Sequence, residues 1–231
     1  MEERQMGIVQ KITGVFISPI QTFKAIAEDT EMLKPVVAVL VINMLLTLLV
    51  LPEVVDATRE ALKNSGQQIP ADQMRMMITY TKIMTVVGAL VLPPFLWLIE
   101  SLLLLLYNQL SIGQGSFKQF YAISFFAWLP AFLGSAIKTA LIPAIGYEQV
   151  LAIKTSLALF LPPATKSGFL FILLSRTDFF TIWSLILLAL GGAVVMKKDS
   201  KGVMAYMLGL WLVLIALMAF IATKTGAGVQ M

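Results

Sequence analysis

The chain has 231 residues, 58% of them hydrophobic and 13% charged, with a mean hydropathy of +0.87. That balance excludes a soluble domain and reads as a polytopic, all-α membrane helix bundle, with 1–231 forming a single membrane domain. The net charge of +4 implies no nucleic-acid partner, and a chain without His or Cys lacks the commonest general base, the usual metal ligands and any disulfide, so no catalytic residue, metal site or cofactor is expected.

At the amino end, Glu2, Glu3 and Arg4 precede no apolar core, so no cleavable signal peptide is expected. Residues 9–29 then repeat apolar positions at helical spacing, first Val9, Ile12, Val15 and Phe16, then Ile20, Phe23, Ile26 and Ala27. Ser18-Pro19-Ile20-Gln21 separates the two sets as a helix start, with the Ser18 hydroxyl as cap, Pro19 at the first helical position and Gln21 returning a bond. The pattern predicts two short interfacial helices before the bundle.

The first span is predicted over 35–51, ended by Pro52 and Glu53, and a polar loop follows to Lys82, with Pro70-Ala71-Asp72 starting a helix inside it. The Met cluster at 74–77 reads as a helix face. Span two covers 83–106, kinked at Pro93-Pro94 and carrying Glu100, and span three covers 120–141 with Pro130 inside and Lys138 near its far end. Within 148–175, Glu148 to Leu161, apolar but short and stopped at Pro162-Pro163, reads as an interfacial or partly re-entrant helix; the alternative, a sixth crossing that includes Gly168 to Leu174, fails because seven residues cannot span and Arg176 follows at once. Span four runs from Phe179 to Met196, 18 residues without a charge, long enough for about 27 Å of hydrocarbon. Asp178 caps it, and Lys197-Lys198-Asp199-Ser200-Lys201 turns the chain into span five, 203–222.

Five spans put the termini on opposite faces. With the amino end inside, segments 1–34, 107–119 and 197–202 carry eight basic residues in 53 positions, against eight in 77 for the outer segments. The tight lysine turn after span four decides the orientation: amino end cytoplasmic, carboxyl end outside.

Two ionisable side chains lie within spans, each costing roughly 2.5–3.5 kcal/mol at a helix centre on insertion scales. Lys138 sits close enough to an end to reach water. Glu100 does not, and at its depth Asn43 offers an amide, with Ser124 and Tyr206 nearby in depth, so a polar knot centred on Glu100 and Asn43 is one reading. The other leaves Glu100 protonated or beside a water defect, without a role. Ala189-x-x-x-Ala193 beside Gly191-Gly192, and Ala205-x-x-x-Gly209, read as close packing of spans four and five, with a homo-oligomer as the alternative use. Tyr107, Trp128, Trp183 and Trp211 read as interfacial or packing aromatics.

Three separated stretches together resemble the Yip family of small membrane proteins: Phe16 to Ala27, with Ser18-Pro19 and Thr22-Phe23; Gly115-Ser116-Phe117-Lys118-Gln119, with Trp128-Leu129-Pro130 after it; and Asp178-Phe179-Phe180-Thr181-Ile182-Trp183-Ser184 to Leu190-Gly191. The resemblance implies five spans with a cytoplasmic amino end, and structural roles for Phe16, Pro19, Phe23, Phe117, Pro130, Asp178, Trp183 and Gly191. It supplies no catalytic residue. Within the family the chain looks most like a bacterial member that accompanies a peptide-exporting ABC transporter, and the role of eukaryotic relatives in vesicle traffic does not transfer to so short an amino-terminal segment. The expectation is a non-enzymatic plasma-membrane accessory or scaffold protein, with membrane lipids and the subunits of an ABC-type exporter for peptide or toxin resistance as partners. The alternative is a small carrier or channel with a polar path around Glu100.

Overall fold

The computed structural model of the protein describes residues 6–64, 69–146, 155–162 and 168–225. Among them every regular element is helical: α1 (Ile8–Ile17), α2 (Pro19–Glu28), α3 (Leu33–Asn64), α4 (Ala71–Leu110), α5 (Phe117–Ala127), α6 (Leu129–Ile145), α7 (Phe169–Ser175), α8 (Phe179–Met196) and α9 (Ser200–Thr225). Five stretches are long and apolar enough to cross a bilayer, namely α3, α4, α5 with α6, α8 and α9. The fold is therefore the expected all-α, five-span membrane protein with short helices ahead of the first span.

Its details depart from expectation at the prolines. Helix α3 does not stop at Pro52 but continues to Asn64; the helix expected to start at Pro70-Ala71-Asp72 does begin at Ala71 and runs into span two as one helix, so most of the expected polar loop is helical. A proline removes one backbone donor, and at Pro52 the ring is exposed. Of the charges beyond it, Glu53, Arg59, Glu60 and Lys63 are good helix formers, and Arg59 pairs with Asp56 at 2.7 Å. The 32 residues of α3 and 40 of α4 correspond to about 48 and about 60 Å at 1.5 Å per residue, well beyond a hydrocarbon core of about 30 Å. Both helices must extend past the membrane. The Pro93-Pro94 pair lies inside α4, which continues through it as a helix.

Pro130 acts as expected. The chain from Phe117 to Ile145 is broken at Trp128, between α5 and α6. The proline ring would collide with the carbonyl four residues back and offers that carbonyl no N–H. Ala131, just past the break, donates its N–H to the Ser184 hydroxyl of α8 at 3.1 Å.

At 18–21 the outcome is mixed. Pro19 occupies the first position of α2, but the Ser18 hydroxyl makes no capping bond; instead its carbonyl accepts from Thr22, from the N–H at 3.1 Å and from the hydroxyl at 3.0 Å. Ser18 departs from the extended backbone of most caps, with φ −141° and ψ 65°. Asp178, by contrast, is a full cap: Oδ1 accepts from the N–H groups of Phe180 and Thr181 at 3.0 and 3.1 Å, and Oδ2 accepts from the Thr181 hydroxyl. Asp178→Ala should cost about 1–2 kcal/mol, read as a lower melting temperature in detergent, while Asp178→Asn should retain most of it.

Of the helix expected over 148–161, only residues 155–161 are described, and they are not α-helical. Residues 157–160 form a single 3₁₀ turn, α7 has seven residues, and Glu148 and Lys154 lie outside the described residues. Thr155 to Leu157 instead run antiparallel to Thr177 to Phe179, with Leu157 N–H to Thr177 O at 2.9 Å and Phe179 N–H to Thr155 O at 3.2 Å.

The chain divides into two compact units. One holds α1, α2, the stretch Ile99–Ala131 and everything from α7 onward. The other holds α3, α4 as far as Leu98, and α6 from Phe132. In the second, Val50 and Val54 pack on Ile142, and Asn43 reaches α4. In the first, Val15, Phe23, Ile26, Phe120, Ile123, Leu188 and Met196 are fully enclosed.

Candidate functional site

The first unit is built from the three stretches that carry the family resemblance, although about 90 and about 50 residues separate them in sequence. Helix α2 lies on α8 and on α5, and α5 lies on α8. Gly191 makes this approach possible. A Cβ there would stand 2.5 Å from Ile123 Cγ2 of α5 and 3.2 Å from the Phe23 ring of α2. Phe23, with no exposed surface, fills the space a side chain at 191 would occupy. Gly192, the neighbour, faces Leu104 of α4 and Val203 of α9. The pair expected to join only spans four and five thus serves several partners. Gly209 joins none, since a Cβ there meets nothing within 4 Å.

Phe16 at the end of α1 packs edge-on against Trp183 of α8, ring centres 5.5 Å apart, and Phe179 meets the same indole at 5.5 Å. Phe117 lies at the start of α5, partly exposed, with its ring 6.1 Å from Tyr121. Ser116 and Gln119 form a capping box at that helix start, with Ser116 N–H to Gln119 Oε1 at 3.0 Å. The same Gln119 side chain donates Nε2 to the carbonyl of Ala27 at 2.9 Å, fastening the end of α2 to α5. Gly115 allows the preceding turn to lie on α8, because a Cβ there would run into the Phe120 ring and stand 2.6 Å from Val195 Cγ1.

This common role for the three stretches is matched by comparison with known families: the sequence fits the Yip1 domain over residues 13–221. The chain belongs to the Yip1 domain family. No curated protein and no solved structure matches it. The match and the five spans make this a multi-pass membrane protein, and all eight positions assigned by resemblance fall within the matched range.

Several contributors to the Yip1 unit are not evident from sequence motifs. Lys11 is 3% exposed, and its ammonium bonds the Asp29 carboxylate at 2.6 Å and the Asp29 carbonyl at 3.0 Å, closing α1 onto the end of α2. The signal was present, because Lys11 lies four residues before Val15 on the same face. Asn108 is buried and clasps Gly115, accepting its N–H at 3.1 Å and donating to its carbonyl at 3.2 Å. In the other unit Trp97 is fully enclosed.

Asn43, Tyr206, Ser124, Glu100 and Lys138 are among the polar residues expected within the spans. One amide hydrogen of Asn43 goes to the carbonyl of Ala89 at 2.7 Å. Ala89 lies four residues before Pro93, so its carbonyl has no helical donor, and Asn43 replaces the N–H that proline lacks. Tyr206 donates to the Leu103 carbonyl at 3.3 Å, with its ring 4.8 Å from that of Tyr107. Ser124 is enclosed, with its hydroxyl unpartnered among the described residues. Glu100 is half-buried and belongs to no ion pair among the described residues, while Lys138 is half-exposed. The described residues contain no group of carboxylates able to hold a metal.

The Asn43 assignment predicts a specific suppression. Asn43→Leu should destabilise the protein by about 1 kcal/mol, as for other membrane-buried hydrogen bonds. In a Pro93→Ala background, where residue 93 supplies its own N–H, the same change should cost almost nothing. The check is a double-mutant cycle on detergent unfolding.

Proposed function

We propose that this Yip1 protein is a non-enzymatic accessory or scaffold component of the plasma membrane, of the bacterial branch of its family, that binds the subunits of an ABC-type exporter of peptides or toxins. Its amino end is cytoplasmic and its carboxyl end outside, as the lysine turn at 197–201 indicates by the positive-inside rule. The observation that carries the reading is the contrast in burial between spans. Within the chain about half of the apolar window is buried in α5 with α6 (56%) and α8 (50%), against 17% in α3, 22% in α4 and 17% in α9. The chain supplies a packed unit made from its signature stretches, and long apolar flanks on which other membrane helices can lie. A sequence without His or Cys supports a binding rather than a catalytic role.

Purification of the tagged full chain in mild detergent, with mass spectrometry of what accompanies it, tests this. Stoichiometric recovery of an ABC exporter is expected. Purified chain that alone moves solute across liposomes would establish the carrier reading, with Glu100 in its path, and overturn this one.

A further inference from the structure

A cleft of about 730 Å³ opens where α8 leaves the hydrocarbon, between α2, the start of α5 and the turn into α9. Its apolar wall includes Ile20, Leu190 and Val194, and its rim carries Lys24, Lys197 and Lys198 together with Glu28 and Asp199. All three lysines are exposed, and none forms an ion pair among the described residues, although two carboxylates share the rim. Lys197 holds this place at a backbone cost. It closes α8 in the left-handed conformation, φ 55° and ψ 43°, where glycine is the residue without penalty. A lysine in a conformation that favours glycine, on the rim of an amphipathic cleft at a membrane boundary, matches a ligand that is itself anionic at one end and apolar at the other.

We propose that this cleft binds an anionic phospholipid of the phosphatidylglycerol type. Lys24, Lys197 and Lys198 hold the phosphodiester, Glu28 and Asp199 accept hydrogen bonds from the headgroup hydroxyls, and an acyl chain follows Ile20, Leu190 and Val194. Basic clefts between membrane helices take such headgroups elsewhere by the same electrostatics. The site does not depend on any protein partner and can fail or hold independently of the accessory role.

The test is native mass spectrometry of the full chain in detergent, titrated with phosphatidylglycerol and, separately, phosphatidylcholine. The first bound phosphatidylglycerol is expected to be tighter than phosphatidylcholine. K24Q/K197Q/K198Q should weaken it on the order of a hundredfold, from roughly fivefold per lysine near a membrane surface. K24Q/K198Q, which leaves the backbone at 197 untouched, should weaken it about 25-fold on the same basis. K34Q/K63Q/K224Q, with the same loss of charge at lysines that do not line the cleft, should bind as the parent does, and melting temperatures report folding of each variant. The proposal is overturned if the parent does not prefer phosphatidylglycerol, if the control weakens binding as much as the cleft variants, if folded cleft variants bind normally, or if the cleft retains a peptide rather than lipid.

Discussion

Replacing Gly191 by alanine is expected to destabilise the protein by about 1–3 kcal/mol, the usual cost of forcing a carbon into a closed core. The carbon added would meet Ile123 Cγ2 at 2.5 Å and the Phe23 ring at 3.2 Å. Neither neighbour gives way easily, because that methyl is fixed at the branch of its side chain and Phe23 is fully enclosed. Ile123→Ala removes the obstructing methyl. In that background the Gly191→Ala increment should shrink by at least half, and a double-mutant cycle on detergent or thermal unfolding would show it. Equal increments in both backgrounds would place the contact elsewhere. Gly192→Ala should be milder, since the nearest atom there, at 2.7 Å, is a terminal methyl of Leu104.

The second large effect should come from the Lys11–Asp29 pair, and it should be asymmetric. The Lys11 side chain is 4% exposed and that of Asp29 37%. Asp29→Ala leaves a buried ammonium without its carboxylate. Breaking a fully buried pair costs 3–5 kcal/mol, and because Asp29 is partly solvated and its carbonyl bond to Lys11 remains, about 2 kcal/mol is expected. Lys11→Met leaves a carboxylate that water can reach and an apolar chain of similar length, so it should cost under about 1 kcal/mol. Proteolysis of the amino-terminal segment in purified protein reports this locally: Asp29→Ala should speed cleavage before Leu33 markedly more than Lys11→Met. The opposite order would mean that the acid, not the lysine, is the buried partner.

These contacts also show what was legible in the sequence. Span number, the cap at Asp178 and the break at Pro130 follow from local chemistry: an uncharged run, a carboxylate before a helix, a ring without an N–H. The start of α4 at Ala71 was legible from Pro70-Ala71-Asp72, whereas the extension of α3 past Pro52 was not, because polarity marks the end of the membrane and not the end of a helix. Glu53, Arg59, Glu60 and Lys63 are as much at home on an exposed helix as in a loop. Gly191 was visible as a small residue, but its partners were not. Periodicity says which face is buried, never against what, and Phe23 lies 168 residues away. For Asn43 the clue was Pro93, whose missing donor defines an acceptor four residues earlier; seeing that Asn43 meets it requires the fold. The position of Glu100 inside the second span was legible.

The most direct test of the account is whether the amino-terminal helices rest on α8 in the membrane. The chain has no cysteine of its own, so Phe16→Cys with Trp183→Cys introduces a single pair where the native ring centres are 5.5 Å apart. In native membranes a short bis-maleimide should join the two within one chain, shown by protease cleavage between them leaving the fragments linked, while Phe16→Cys paired with a cysteine at exposed Leu212 should not link. Failure of the first pair to link while each cysteine alone reacts with maleimide would contradict the docked Yip1 unit on which the account rests.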